Sequence, residues 1–560
     1  MGALELERSS WWLHWKEIQE VLLPRAGRFF VTDTNRGERK NDILDDTGTG
    51  ALTTLGAGMQ SGMTSPARPW VRLETDDPDL MNNANVSRWL DRVTTTILNV
   101  FARSNTYNTL HMMYEEIGAF GVAADIVLPD FKSVIHHYPL TVGEYSLAAN
   151  DRNEIDTLGR HFQMTVMQIV QRYVAGGVPK REKSGSWDWS NVSSQIKNAW
   201  DSHNLDVWIP LYHLIDPRLE RDPSKLDNKN MPWRSIIVET AGSEDKTLNE
   251  SGYKRFPVLA PRWQVTGNDV YGSNSPGMRA LGGIKQLQFE HMRKMQGIDL
   301  QVNPPLIVPS HLKTQDSDFL AGGVTYYDDA GGGGQNAAVR SAFDVNLKLD
   351  HLLLDIQDVR QLIRSAFFAD VFLSMEQLSG APITAREVQE RHEEKLLMLG
   401  PVVERQQTEL LTPLVNITFD ACMEAGILPE PPEELQGSEL KLEFVSVLAQ
   451  AQRSTAMAGV DRWISAAASI AAAKQDPSIW DNVDTDQAIQ KAAGYLGVDP
   501  ELARGADEVA QIRQARAEAQ QAQAQQAEMA QAAETAKTLA GADMSTDNAL
   551  TNVVRGFATQ

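Results

Sequence analysis

The stretch PGMRALGGIKQLQFEHMRKMQGIDLQVNPPLIVP, Pro276–Pro309, reads as one long helix with a hard stop. Asn274, Ser275 and Pro276 supply cap and first-turn signals, and Leu281, Ile284, Leu287, Met292, Met295 and Ile298 follow at helical spacing. At 1.5 Å per residue such an element is roughly 40 Å long. NPPLIVP, Asn303–Pro309, ends it, because Pro304 and Pro305 remove backbone donors and force extended geometry. A short insert follows, in which Gly322, Gly323 and the run Gly331–Gly334 flank VTYYDD, Val324–Asp329. It reads as a small β-like unit with a floppy tip, too small to fold alone. A second helix starts near Asp344 and carries Leu347, Leu349, Leu352, Leu353, Ile356, Val359, Leu362, Ile363, Phe367 and Phe368 at helical period.

Outward toward the C-terminus, the helical pattern lapses at SMEQLSGAP, Ser374–Pro382. A third helix then opens with Thr384 and Glu387 in capping-box spacing and runs to about Glu424. Pro401 and Pro413 fall inside it and are expected to kink it. After PEPPEEL, Pro429–Leu435, a helical region extends from about Val447 to Gly541, and its part Glu508–Lys537 is dominated by Ala, Gln and Glu. That composition favours helix yet lacks the apolar seam of a self-standing coiled coil, and the tail after Met544 is expected to be mobile.

Outward toward the N-terminus, Glu5–Leu23 has the apolar period of an opening amphipathic helix, ended by Pro24 and Gly27. Asp46–Thr64 is rich in Gly and Thr and is expected to be flexible, leading through Pro66 and Pro69 into an extended segment. A helical region spans Asn82–Tyr114, and Glu116–Val127 continues it as an apolar stretch. Between Phe131 and Pro261 short β-rich pieces such as Val207–Ile215 and Ser235–Thr240 surround one expected helix, Glu154–Val174, and an exposed loop, Arg181–Trp189. Residues 1–274 thus read as one large α+β region.

The chain has 560 residues and a net charge of −22, with 42% hydrophobic and 22% charged residues. At ~150 residues per domain this is material for roughly three to five domains or one elongated subunit, and a generally disordered chain is excluded. So is a wholly basic nucleic-acid binder. Cys422 is the only cysteine, which removes intrachain disulfides and Cys-rich zinc sites and fits a reducing cytosol at synthesis. The N-terminus has neither a secretory pattern nor a myristoylation signal and is expected to be mature structure. No stretch approaches the ~20 apolar residues of a membrane span.

No reaction centre is legible. GAGMQSGMT, Gly56–Thr64, lacks the lysine of a phosphate-binding loop and has the wrong glycine register for a dinucleotide fold, so it reads as a surface loop. His392–Lys395, HEEK, lacks the second histidine of a zincin and reads as a solvated helix face. His136 and His137 are neighbours on a strand and point to opposite faces, so they cannot readily share a metal. Asp125, Asp299, Asp355 and Asp358 are scattered, and Cys422 sits among apolar residues as a buried small hydrophobe. No catalytic residue, cofactor or metal site is assigned.

The order of these elements resembles the portal proteins of tailed bacteriophages, most closely the head-to-tail connector family of short-tailed, podovirus-like phages. The stretches that carry it are Gly277–Pro309, Leu347–Phe372 (LKLDHLLLDIQDVRQLIRSAFFADVF), Thr384–Leu414 (TAREVQERHEEKLLMLGPVVERQQTELLTPL) and Val445–Arg453 (VSVLAQAQR). The resemblance implies an α+β, predominantly helical portal-type fold that assembles as a dodecameric ring. It divides the chain into wing (1–274), stem helix one (275–302), clip (303–343), stem helix two (344–372), tunnel loop (373–383), long bent wing helix and return (384–450), crown or barrel (451–541) and tail (542–560). It implies a structural, non-enzymatic role at a single capsid vertex of the virion, with assembly in the host cytoplasm, as the conduit for packaging and ejecting double-stranded DNA irrespective of sequence. The implied partners are the terminase large subunit, which supplies the ATPase, the major capsid protein, a scaffolding protein, tail adaptor and tube proteins, and internal core or ejection proteins.

Against that reading, Met375, Glu376, Gln377, Leu378, Ser379 and Gly380 are the tunnel-loop residues facing the channel. Arg279, Lys285, Arg293, Lys294, Arg360 and Arg364 on the two stem helices are candidates for passing phosphate contacts or for intersubunit salt bridges to Asp350, Asp355 or Asp358. A stem helix apolar around much of its circumference is covered either by ring neighbours or by a monomer core. The acidic balance favours passage of DNA over grip, since dense Lys and Arg would create a binding well at each step. The competing readings are a scaffold or adaptor of another assembly and a nucleic-acid-processing enzyme with an unrecognised site.

Overall fold

A computed structural model describes residues 2–377 and 399–445 except 30–41, 78–79, 81–82, 175–187, 226, 241–245, 311–315, 317, 319, 328–338, 343–348 and 436–439, together with 463–465, 467–470 and 506–540. The chain forms two compact units, one of residues 1–76 and 88–458 and the other of 77–87 and 459–560. It is mixed, with more helix than strand.

The first unit opens with α1, Gly2–Leu22, whose Trp15, Ile18 and Leu22 are buried. Trp15 Nε1 donates to the Phe120 carbonyl at 3.1 Å, and buried Arg8 reaches the carbonyls of Gly143 and Tyr145 at 2.8 and 3.0 Å. The sequence placed a flexible segment next; the structure instead forms α2, Thr47–Met63, with Leu52, Leu55, Met59 and Met63 in the core. The Gly and Thr content misled because these glycines are packing sites rather than hinges. A methyl at Gly58 would overlap the ring of Phe372, and one at Gly118 would meet Leu55 at 2.7 Å. Close helix–helix approach outweighs the weak helix propensity of glycine here.

After β1, Val71–Thr75, the expected helical region splits into α3, Ala84–Arg103, and α4, Thr106–Phe120. Gly121, at φ 83°, ends α4, and the apolar run beyond it is β2, Ala124–Asp130, paired with β3, Val134–Leu140. The five-stranded antiparallel sheet comprises β4 (Tyr145–Ala149), β5 (Ile155–Thr165), β6 (Trp208–Pro217), β7 (Trp233–Glu239) and β8 (Thr247–Tyr253), in that order.

The helix expected over Glu154–Val174 is therefore mostly strand. Only after Thr165 does the chain turn helical, through α5, Val166–Ile169, and a π-helical turn, Val170–Val174. Thr165 and Gln168 form a capping box there. Before it, Leu158, Phe162 and Met164 alternate at period two, a pattern that the later 3.6-residue period of Val166, Ile169 and Val170 obscured. With α6, Ser194–Asp201, that helical turn covers one sheet face through Val166, Ile169, Val170, Val192, Ile196, Ile209 and Leu211. Arg181–Trp187, most of the expected loop, lies outside the described residues.

β9, Val258–Leu259, pairs with β2, and α7, Pro276–Val302, then leaves the α+β region. The insert forms a three-stranded sheet in which β10, Leu306–Pro309, lies between β11, Val324–Tyr327, and β12, Arg340–Ser341. α8, Leu349–Ala366, returns along α7, and Phe368, with φ at 55°, breaks it from α9, Ala369–Gln377.

The third helix resumes at residue 399, its earlier part lying outside the described residues. From Gly400 to Glu424 the chain stays helical, as an α-helix, a π-helical turn and a second α-helix in succession. Pro401 stands in the first turn of α10, Gly400–Gln406, and Pro413 in the first turn of α11, Thr412–Glu424, with a π-helical turn, Gln407–Leu411, between them. First-turn positions need no N–H donor, and the wider π turn absorbs the one Pro413 lacks. That turn aims Glu409 at buried Arg262, which it meets at 2.7 Å. β13, Leu440–Phe444, then pairs antiparallel with β1. In the second unit α12, Ala506–Ala540, is one Ala- and Gln-rich helix.

Candidate functional site

The hairpin of α7 and α8 holds most of the sequence-predicted site residues. Ser275 caps α7 by accepting from the Met278 amide at 3.2 Å, with Pro276 in the first turn as its position in the sequence implied. Near its base the hairpin is packed, with Ala280, Leu281, Ile284 and Leu287 buried on α7 and Ile356, Val359 and Ile363 on α8. Farther along, the same helices leave large apolar side chains uncovered. Phe289, Met292, Met295, Ile298 and Val302 are exposed on α7, and Leu353, Leu354 and Leu362 on α8; Met295 is 58% and Leu362 69% exposed. On α7 they recur every three or four residues, whereas on α8 Leu353 and Leu362 lie on opposite sides of the helix; full burial of such a side chain contributes about 1.5–3 kcal/mol.

The six basic candidates divide. Arg360 is bound within the chain: its Nε lies 3.1 Å from Oδ2 of Asp45, which also lies 3.1 Å from Nε2 of His291. Gln288 completes this knot, accepting from the Leu44 and Asp45 amides at 2.7 and 3.1 Å. Burial raises the Asp45 pKa, but hydrogen bonds from Thr47 and Arg360 outweigh it and hold the carboxyl below its ordinary value. Lys285 pairs with Glu17 of α1 at 2.7 Å. Arg293 stays on its own helix, over the Phe289 ring at 4.9 Å and donating to Gln296 at 3.1 Å. Arg279, Lys294 and Arg364 have no ion-pair partner among the described residues. Arg364 shares an open groove of about 330 Å³ with Gln357, Arg360, Gln361 and Asp370.

Across the hairpin Asp355 lies near Glu290; burial first and then the neighbouring Asp355 push the Glu290 carboxyl upward, against the Gln286 amide that donates to it at 2.6 Å. Asp45, Gln288, His291 and Glu290 were not among the sequence candidates. Nothing local marks them, because Asp45 meets Gln288 across 243 residues of chain. Of the tunnel-loop candidates, Met375, Glu376 and Gln377 end α9 in helical conformation, so helix persists past Ser374, while Leu378, Ser379 and Gly380 lie outside the described residues. His392–Lys395 and the stretch 384–398 also lie outside them.

The titratable groups of the interior are structural. Asp125, scattered in sequence, meets His137 at 2.5 Å, and the other ring nitrogen of His137 lies 2.9 Å from the Thr106 hydroxyl. The three side chains follow the order of a nucleophilic triad, but Thr106, Asp125 and His137 are each at most 1% exposed, so no substrate reaches them. They pin β2 and β3 to the start of α4. Glu116 is buried in α4 with Oε1 accepting from the Thr141 hydroxyl at 2.6 Å and Oε2 unpartnered, and burial pushes its carboxyl up to about 8. Cys422 is fully buried, which pushes its thiol up to about 11. Among the described residues no group of three His, Cys, Asp or Glu could hold a metal ion, and no helix is long and apolar enough to cross a membrane.

The described residues thus form an α+β body bearing a long helical hairpin with exposed apolar side chains. Residues 1–504 match the family of bacteriophage head to tail connecting proteins. The chain is 50% identical over 558 residues to a probable portal protein of Bordetella phage BPP-1, covering 100% of this chain and 97% of that one. It is 41% identical over 554 residues to the portal protein of Salmonella phage epsilon15, covering 99% and 96%. A chain from the virion of a native gene transfer agent particle aligns at a TM-score of 0.29 and 11% identity, over 73% of this chain and 94% of that one, a likeness too slight to define the fold. The chain belongs to the bacteriophage head-to-tail connecting proteins, the portal proteins, a structural family of virion components.

Proposed function

We propose that this chain is the portal subunit that closes into a ring, a dodecamer, at one capsid vertex and forms the channel through which double-stranded DNA is packaged and ejected. The observation that carries the reading is the set of large apolar side chains left exposed on α7 and α8. A single subunit leaves them wet, whereas a cyclic, head-to-tail interface covers one helix hairpin with the next. In this reading 275–302 and 344–372 are the stem, 303–343 the clip that docks terminase during packaging and tail adaptor proteins afterwards, and 1–274 with 384–450 the wing. The wing faces the major capsid protein and scaffold, 373–383 enters the channel, and 451–541 forms the crown toward internal core or ejection proteins. Arg279, Lys294 and Arg364, without an ion-pair partner among the described residues, serve as passing phosphate contacts or as cross-subunit partners for acidic side chains. A net charge of −22 keeps such contacts weak enough for DNA to move.

Electron microscopy of the purified protein at near-physiological salt tests this. Ring-shaped end views with a hole wide enough for a ~20 Å duplex are the expected result. Monomers or dimers without a hole, persisting across salt and concentration, would sink it.

A further inference from the structure

Arginines on the five-stranded sheet are of two kinds. Arg218 and Arg234 are each paired, with Glu250 at 3.0 Å and with Asp216 at 2.5 Å. Arg160 on β5 and Arg172 in the π-helical turn have no carboxylate within ion-pair distance among the described residues. The carboxylate whose charge bears most on Arg160 is Glu144, and it already faces Arg28 at 3.8 Å.

The pair is held in place. Arg160 Nε donates to Nδ1 of His213 at 3.3 Å, and its guanidinium lies over the Phe162 ring at 4.8 Å. Because a guanidinium only donates, His213 Nδ1 must be the acceptor, so Nε2 carries the proton and donates to the Ser235 hydroxyl at 2.9 Å. Burial, then the charges of Arg160 and Arg172, hold His213 down to about 3, so the ring adds no charge of its own. The terminal nitrogens of Arg160 bond to no described residue. The π turn brings Arg172 over the Tyr173 ring at 5.7 Å, and the buried Tyr173 hydroxyl has no hydrogen-bond partner among the described residues.

We propose that Arg160, Arg172 and the Tyr173 hydroxyl form a binding site for a phosphate-class oxyanion on this face of the sheet. Planar guanidinium forks match the paired oxygens of phosphate, two of them balance a dianion, and the phenol supplies a further donor that the fold leaves unused. The site is distinct from the hairpin, and the assignment does not depend on ring formation.

Calorimetric titration of the full chain with inorganic phosphate, against chloride and acetate at constant ionic strength, tests it. Saturable phosphate binding is expected, weakened about tenfold by Arg172→Gln and several-fold by Tyr173→Phe. Arg172 is exposed and the Tyr173 change is conservative, so both variants should keep the wild-type circular dichroism. A short DNA duplex that displaces the bound phosphate would identify backbone phosphate as the source; failure to displace it would leave the free anion as the ligand. No saturable phosphate signal beyond that of chloride, or equal affinity in wild type and both variants, would overturn the proposal.

Discussion

Replacing Glu116 by Gln should make the fold more stable at alkaline pH and leave it nearly unchanged in acid. Burial in α4 holds the Glu116 carboxyl near 8 instead of its ordinary 4.5, so the folded chain keeps a proton that the unfolded chain has already released. Below pH 4.5 both states are protonated and there is no penalty. Between 4.5 and 8 the unfolded state gains progressively from ionising, and above 8 the loss of stability is complete. A displacement of that size corresponds to about 5 kcal/mol, on the order of the net stability of many domains. Glutamine keeps the acceptor for the Thr141 hydroxyl and stays neutral throughout. Guanidinium denaturation at fixed protein concentration, followed by tryptophan fluorescence, should place the variant within about 1 kcal/mol of wild type at pH 4.5 and several kcal/mol above it at pH 8.5. Other titrating groups cancel in the difference. Parallel pH profiles, or a variant weaker than wild type at pH 8.5, would refute the reasoning.

Gly58→Ala pushes a methyl into the Phe372 ring and should cost about 1–3 kcal/mol by denaturation. Phe372→Leu in the same chain should recover part of the loss, and strictly additive costs would argue against that contact. Asp125→Asn leaves His137, which in turn holds Thr106, without its buried carboxyl partner and should cost about 3–5 kcal/mol, whereas a change under about 1 would mean the network is not a structural pin. Met295→Glu together with Leu362→Glu places charge among the exposed apolar side chains of the hairpin. It should leave the circular dichroism of the subunit intact while abolishing higher oligomers in analytical ultracentrifugation; unaltered oligomers would remove the hairpin from the interface.

The two long helices were legible because their apolar residues repeat over many turns and their ends carry strong signals, Ser275–Pro276 at one side and Pro304–Pro305 at the other. The errors fall where one residue type serves two purposes. Glycine in Gly48–Gly62 reads as freedom in sequence but acts as clearance for Leu22, Phe372 and Ile284 in the fold. The strand β5 and the helical turn after it share one apolar stretch with two periods, and the eye takes the longer one. Pro413 follows a π-helical turn within one helical run, an irregularity that the apolar pattern does not signal. Of the candidate site, the basic residues of α7 and α8 were visible as types, but not which of them were already taken. Asp45 and Glu17, which bind Arg360 and Lys285, come from distant parts of the chain and carry no local signature.

The ladder between β1 and β13 joins Val71–Thr75 to Leu440–Phe444. At a synthesis rate of roughly 5–20 residues per second, β1 leaves the ribosome about 20–70 s before its partner exists. Through that interval its backbone is an unpaired edge, and the side chains of Arg72 and Glu74 that alternate with its apolar ones are the kind that discourage a wrong strand from adding to it. The hairpin that carries the exposed apolar side chains is made inside the same interval. A nascent subunit therefore displays these helices before β1 gains its partner, and the first unit can close only once Leu440–Phe444 has been made.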